Sequence, residues 1–158
     1  AWLMCSVPIY SQSQKEQERN YRKAYCIDWA LAVRNSSVWD GSFSRALENM
    51  VYLHLRRNYD RIYYYLTRSR RQEVDFIAVD RQGKPALAVQ VCSDLSDPDT
   101  RERELAPLAT TARHFGIPDA VLITRSEERE FERDGIRIPA VPAWKWLLGQ
   151  GGDTARGG

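Results

Sequence analysis

Carboxylates are the side chains of this chain whose types and positions could do chemistry. Glu48 lies on the apolar stripe of a predicted helix, with Val51, Tyr52 and Leu55 at offsets of three, four and seven residues. A buried carboxylate at this position needs a cation or a metal ion as partner, or it stays protonated. The alternative is a Glu48 at the rim of the stripe, where its carboxylate reaches water or Arg45.

A predicted β-hairpin provides a second group of candidate residues. If its turn is centred on residues 82–83, Asp75 faces Gln90 and Glu73 faces Cys92 across the two strands. Facing side chains of an antiparallel pair lie about 5 Å apart. This register therefore predicts a carboxylate, an amide oxygen and a thiol in one cluster.

Each of these three residues also has an ordinary structural role as its alternative. Cys92 can be a small buried hydrophobic residue, and Gln90 a buried amide whose hydrogen bonds are satisfied. Asp75 can accept from a backbone N–H or pair with an Arg.

The composition restricts other kinds of chemistry. The chain has 158 residues, is 43% hydrophobic and 28% charged, and carries a formal net charge of +2, so it resembles an ordinary globular domain. The spacing of the three cysteines and two histidines disfavours disulfides, a zinc site and a histidine-rich centre, and fits a reducing cytoplasm. No glycine-rich nucleotide motif and no long apolar run occurs. The residues concerned are Cys5, Cys26, Cys92, His54 and His114.

Hydrophobic periodicity predicts the elements that position these groups. The predicted strands are 2–10, 24–28, 61–66, 73–79, 86–92, 120–124 and an edge strand at 135–138. The predicted helices are 40–59, one from residue 96 to about His114 that Gly116 ends, and 142–148. Polar segments 11–23 and 125–133 are predicted loops. The sequence thus predicts an α/β fold, with a strand pair in residues 1–28, a main domain over 29–149 and a flexible tail at 150–158.

A basic stretch is the candidate nucleic-acid surface. Between His54 and Arg71, six arginines accompany one acid, Asp60. Arginine-rich loops suit contacts with phosphates, whereas the alternative is a solvated helix end beside core tyrosines. The candidate binding residues are Arg57, Arg68, Arg70 and Arg71.

Glu48, Asp75 and the Gln90-x-Cys92 pair together resemble the arrangement of PD-(D/E)xK nucleases. Six segments resemble, in order, the C-terminal domain of prokaryotic AAA-type ATPases that is called domain of unknown function 4143. They are 22–28 (RKAYCID), 41–52 (GSFSRALENMVY), 73–79 (EVDFIAV), 87–92 (LAVQVC), 100–105 (TREREL) and 142–149 (PAWKWLLG).

This resemblance implies a restriction-endonuclease-like core, a three-layer fold with a central mixed sheet flanked by helices. It also implies an upstream ATPase module and DNA as a partner, while the lack of a long apolar run predicts no membrane partner. Glu48, Asp75 and Gln90 would be the catalytic residues and would hold Mg²⁺ or Mn²⁺ for phosphodiester cleavage.

The chain departs from the family pattern at the Glu-x-Lys motif. Gln90 removes one negative charge, so the metal would bind weakly. Cys92 stands where the motif has Lys, and a neutral thiol cannot replace an ammonium. We therefore expect a nucleic-acid-binding domain with an impaired phosphodiesterase site. The alternatives are a protein-interaction or regulatory scaffold, and a working nuclease with a displaced basic residue.

Overall fold

The structure is a computed structural model that describes residues 4–28, 43–68 and 72–149. The predicted beginning of the helix before residue 43, Arg70, Arg71 and the predicted tail from residue 150 lie outside these ranges. The strands are β1 (Met4–Val7), β2 (Lys23–Cys26), β3 (Arg61–Leu66), β4 (Glu73–Val79), β5 (Pro85–Val91), β6 (Asp119–Thr124), β7 (Arg129–Arg133) and β8 (Ile136–Pro142). The helices are α1 (Gln14–Arg19), α2 (Phe43–Asn58), α3 (Pro98–Phe115) and α4 (Ala143–Leu147).

A mixed six-stranded sheet organises the domain, in the order β3-β4-β5-β6-β8-β7. The contacts of β5 with β6 and of β6 with β8 are parallel, and the other contacts in this sheet are antiparallel. Strands β1 and β2 form a separate antiparallel pair, the N-terminal hairpin. The predicted α/β class, with a mixed sheet between helices, is confirmed.

Two hydrophobic clusters, one on each face of the sheet, form the core. Helix α2 buries Leu47, Val51 and Leu55 on the first face, together with the N-terminal hairpin. Helix α3 covers the second face with Leu105 and Leu108. Strand β6 is buried on both faces, which explains its continuous apolar sequence.

The ends of α3 follow from local capping chemistry. The Asp97 carboxylate accepts a hydrogen bond from the Thr100 backbone N–H at 2.8 Å, which satisfies a free donor of the first turn. Gly116 ends the helix with a left-handed backbone, φ 63°, as the sequence predicts. No helix among the described residues is long and apolar enough to cross a membrane.

Three predicted elements are corrected by the structure. Residues 14–19 of the predicted polar loop form α1, and Lys23 belongs to β2. Residues 129–133 of the second predicted loop form the edge strand β7, whose alternating charges are a common protection of exposed edges. The predicted edge strand at 135–138 therefore lies inside the sheet, as part of β8.

Candidate functional site

The β4–β5 hairpin has the register that the sequence predicts. Phe76 pairs with Val89 and Ile77 with Ala88, which continues to Asp75 opposite Gln90. The Asp75 backbone N–H donates to the Gln90 side-chain oxygen at 3.1 Å. The hairpin thus brings these two residues together through a backbone-to-side-chain contact.

A β-bulge in β4 reverses the direction of one of the two side chains. Tyr63 pairs with Ile77 but Tyr65 pairs with Val74, so Tyr64 stands opposite both Asp75 and Phe76. Two consecutive residues in a bulge point to the same side, whereas normal strand residues alternate. The bulge therefore turns the Asp75 carboxylate, like the Phe76 ring, towards α2.

Lys23 of β2 lies at the centre of the carboxylates on this face. Its Nζ atom is 2.6 Å from Glu48 Oε1, 2.8 Å from Glu73 Oε1 and 3.0 Å from Asp75 Oδ1. The side chains are 15% exposed for Lys23 and 10% for Asp75, so the charges are shielded from water. We call Lys23, Glu48, Glu73 and Asp75 the acid–lysine cluster.

Two tyrosines and a backbone amide complete the hydrogen bonds of this cluster. Tyr25 donates to Glu48 Oε1 at 2.6 Å, and Tyr21 donates to Glu73 Oε2 at 2.6 Å. The Val91 N–H donates to Asp75 Oδ2 at 2.9 Å. Lys23 and Tyr25 reach the same cluster because alternate side chains of a strand share one face.

The cluster contains more negative than positive charge, and this changes proton affinities. Burial favours the neutral form of Asp75 and outweighs the Lys23 ammonium, and with the negative charge of Glu48 the pKa of Asp75 rises to about 7. Burial alone would lower the pKa of Lys23, but Asp75, Tyr25 and Glu48 raise it above its usual value. Three carboxylates share one ammonium, so the most buried carboxyl takes up a proton most readily.

Asp75 gives stability an expected pH dependence. Its pKa is about 7 in the folded chain against a usual 3.8, so the folded state binds a proton more tightly than the unfolded state. This contribution is complete below about pH 4 and is lost as the pH rises through about 7. Urea unfolding measures the difference in free energy of unfolding between the parent and Asp75→Asn. As the pH rises from about 4 to 7, this difference should fall by about 1.4 kcal/mol for each unit of the pKa shift.

Asp94→Asn is the control for this measurement. Asp94 is exposed, and hydrogen bonds from Ser96 lower its pKa, so the pH dependence of its contribution has the opposite sign. Parallel pH profiles for the parent and Asp75→Asn would contradict the assignment.

Gln90 and Cys92 lie on the other side of the sheet from the acid–lysine cluster. The Gln90 side-chain amide donates to Glu104 Oε2 of α3 at 2.7 Å. The Cys92 thiol belongs to the α3-side core and donates to the Asp94 carbonyl oxygen at 3.1 Å. The predicted single cluster of Asp75, Gln90 and Cys92 is corrected in this respect, because the bulge separates the carboxylate from the other two side chains.

The two predicted arginines that the structure describes, Arg57 and Arg68, do not share one surface. Arg57 lies beside the β4–β5 turn, in a cleft with Arg81. Arg68 follows the other end of β3, in a cleft with Tyr10 and Tyr65. The two arginines lie at opposite ends of β3, which has six residues and rises about 3.3 Å for each residue. Both arginines are exposed, and Arg68 lies at the end of the sheet where Leu66 pairs with Glu73 of the cluster.

Two of the predicted metal ligands, Glu48 and Asp75, lie in the acid–lysine cluster. Glu48, Glu73 and Asp75 offer carboxylate oxygens of the type that Mg²⁺ and Mn²⁺ prefer. Each of them already contacts Lys23, so a divalent cation would have to displace the ammonium. Within the described residues, no group of three or more His, Cys, Asp or Glu side chains is arranged to hold a metal ion, and this includes the acid–lysine cluster.

Sequence reasoning missed several residues of the site. The sequence pattern predicts Lys23 in a loop and Glu73 opposite Cys92, and it does not indicate that either residue contacts Asp75 or Glu48. The available signal was the Lys23-x-Tyr25 alternation, which is typical of two side chains that share one strand face. Glu104, the partner of Gln90, carried no signal beyond its place in a charged run.

The fold and the site define a structural class. It is an α/β domain whose mixed sheet supports a buried cluster of acids around a lysine. The chain belongs to the family described as Domain of unknown function (DUF4143), whose model matches residues 43–146. Comparisons with curated proteins and with solved structures give no match. The matched segment contains Glu48, Asp75 and Gln90, and Lys23 precedes it.

Proposed function

We propose that this chain is a restriction-endonuclease-like domain that engages nucleic acid through an impaired phosphodiesterase site. The order helix α2, strands β3, β4 and β5, helix α3 and strand β6 supports this class. So does the approach of a helical acid, Glu48, to a strand acid, Asp75, around one cation. The observation that carries the impairment is the position of Lys23.

Lys23 makes the site a poor catalyst in two ways. Its ammonium occupies the place between the acids where a divalent ion would polarise a phosphate and activate water. The ammonium also contacts three carboxylates, so it is not available to donate a proton to a substrate or to stabilise charge on a phosphate. Gln90 adds no charge because its side chain is a neutral amide, and this amide bonds Glu104 and the Asp75 backbone.

Arg68 supports contact with nucleic acid at one end of the sheet. It is exposed, and it follows the end of β3 that lies beside Glu73. Its cleft with Tyr10 and Tyr65 lies on the α3 side of the sheet, where an exposed guanidinium can bind a backbone phosphate. We also propose, from the resemblance in sequence, that an AAA-type ATPase module precedes this domain in the full-length protein.

A protein-interaction scaffold is the second candidate function, and the positions of the arginines favour it. Arg57 and Arg68 lie in different clefts, so the described residues present two separate basic sites in place of the predicted single patch. The ion pairs of the acid–lysine cluster also join β2, α2 and β4, which is a structural role that needs no ligand. Under this proposal the chain uses a nuclease fold as a support.

DNA binding and cleavage separate the two candidates. We expect a short fluorescent DNA duplex to bind with an affinity that falls steeply with salt, since each phosphate contact contributes about one unit to the slope of log K against log salt. The triple variant Arg68→Ala, Arg70→Ala, Arg71→Ala should bind about tenfold more weakly and lower that slope by two to three units, roughly 0.9 for each lost contact. Fluorescence anisotropy measures both quantities, and millimolar Mn²⁺ should cause little cleavage.

Arg57→Ala is the control, because Arg57 is also exposed but lies beyond the opposite end of β3. Equal losses in Arg57→Ala and the triple variant would reject the assignment to Arg68. Absence of DNA binding by the parent would leave the scaffold function. Rapid cleavage with Mn²⁺ would reject the impaired site.

A further inference from the structure

A cleft with aromatic walls lies on the α3 side of the sheet, beside the end of β3. Its volume is about 300 Å³, which is at the lower end of the usual range of ligand sites. Tyr10, Tyr65 and Phe115 line it together with Arg68 and His114. We call it the aromatic cleft, and its size suits one small flat ligand.

The rings of the aromatic cleft hold one another in place. Phe115 packs edge to face against Tyr10, with ring centroids 5.0 Å apart, and against Tyr65, also at 5.0 Å. Tyr10 packs in the same way against Tyr63 at 5.4 Å. Phe115 and Tyr10 are half-buried, so part of each ring remains exposed. The cleft therefore offers exposed aromatic surface that needs little ordering before a flat ligand stacks on it.

Hydrogen bonds attach the Tyr10 wall of the cleft to β3 and to α1. The Tyr10 backbone N–H donates to the Tyr64 carbonyl oxygen at 2.7 Å. The Ser11 hydroxyl donates to Glu16 Oε2 of α1 at 2.5 Å, and the Gln17 side-chain amide donates to the Ser11 carbonyl oxygen at 2.8 Å. The segment between β1 and α1 is thus fixed at both ends, and this side of the cleft is preformed.

The charges of the cleft are mixed, and they favour an aromatic ligand over one that is only anionic. Arg68 is exposed and supplies one guanidinium, whereas Glu16 is the acid among the described lining residues. A small anion such as inorganic phosphate would gain little, because these two charges oppose each other. A nucleotide gains in addition from stacking of its base on aromatic side chains. His114 is exposed as well, and an imidazole ring can also stack on a base.

We propose that the aromatic cleft binds one unstacked nucleotide of a single-stranded nucleic acid. The base stacks on the exposed parts of Tyr10 and Phe115, and the Arg68 guanidinium contacts an adjacent phosphate. A base within a duplex is paired and stacked on its neighbours, so the cleft selects single strands or strand ends. This inference rests on the proposed contact with nucleic acid and adds the form that is bound.

A short fluorescent single strand and the duplex of the same sequence test the selection. We expect the single strand to bind about tenfold more tightly than the duplex, since stacking on the cleft is open to it alone. Arg68→Ala should lower the slope of log K against log salt for the single strand by about 0.7, the value for one lost phosphate contact. Fluorescence anisotropy measures both quantities.

Tyr10→Leu should weaken single-strand binding about tenfold and leave its salt dependence unchanged, because the change removes a ring and no charge. Tyr10→Phe keeps the ring and should bind like the parent. Trp144→Leu is the control, because Trp144 is an exposed aromatic residue of α4, which packs on the α2 side of the sheet. Circular dichroism verifies that the three variants fold.

His114 provides an independent measure of location. It is exposed and lines the cleft, whereas His54 is half-buried beside Trp146. The bound single strand should slow the modification of His114 by diethyl pyrocarbonate several-fold and leave that of His54 unchanged. Mass spectrometry of the digested protein distinguishes the two histidines, and an unchanged rate at His114 would place the strand elsewhere.

The outcomes separate this inference from the proposed function. Equal affinity for single strand and duplex, or equal binding by Tyr10→Leu and the parent, would overturn the inference and leave the contact with nucleic acid in place. Absence of binding by both forms would overturn both. Displacement of the single strand by AMP at a similar concentration would assign the cleft to free nucleotides and so reject a single-strand site.

Discussion

Lys23→Met is expected to lower the free energy of unfolding by about 3–5 kcal/mol at neutral pH, the usual cost of removing one partner of a buried ion pair. The substitution leaves three carboxylates close together, without the ammonium that lies within 3.0 Å of each. Met occupies a similar volume, so the loss reports charge more than packing. Urea unfolding at constant salt measures the change.

Lys84→Met is the matched control, because Lys84 is exposed in the β4–β5 turn. Its effect should be small, as for most exposed charges. Similar losses for the two lysine variants would contradict a special role for Lys23.

Acid and divalent ions should both restore part of the lost stability. The Lys23 ammonium lowers the pKa of Asp75 in the parent, so its removal lets that pKa rise further and the stability of Lys23→Met increases as the pH falls. Mn²⁺ can take the vacated position, and a ligand that binds only the folded state stabilises it. We expect Mn²⁺ to raise the Tm of Lys23→Met and to leave that of the parent nearly unchanged. A Tm of Lys23→Met that does not respond to Mn²⁺ would show that the acids cannot form a metal site.

Asn49→Ala is expected to cost about 3 kcal/mol, because two backbone groups lose their partners and each such loss costs about 1–3 kcal/mol. Asn49 is 2% exposed. Its side chain accepts from the Cys26 N–H at 2.8 Å and donates to the Cys26 carbonyl oxygen at 2.9 Å. These bonds attach the N-terminal hairpin to α2 beside the acid–lysine cluster.

Asn58→Ala, on the same helix, is the control for this prediction. Asn58 is exposed and donates to the His54 carbonyl oxygen within its own helix. We expect a loss of less than about 1 kcal/mol, since a single exposed hydrogen bond contributes little. Chemical unfolding of both variants decides the prediction, and an Asn49→Ala variant as stable as Asn58→Ala would refute it.

Much of the fold could be predicted because it depends on local signals. The 3.6-residue period of α2, Gly116 at the end of α3 and the β4–β5 register all follow from neighbouring residues. The acid–lysine cluster depends on distant ones, since Lys23 is 50 and 52 residues from Glu73 and Asp75. The bulge at Asp75 depends on the pairing of β3 with β4, which strand alternation alone cannot reveal. Side-chain direction was therefore the least predictable property of the site.

Lys23 lies outside the segment that matches the family, and this has a consequence for the boundaries of the structural domain. The matched stretch, 43–146, carries the acids, while the base that neutralises them comes from residues before it. An alignment limited to that stretch counts the negative charges and omits their counterion. The hairpin of Met4–Val7 and Lys23–Cys26 thus belongs to the domain as much as the sheet does.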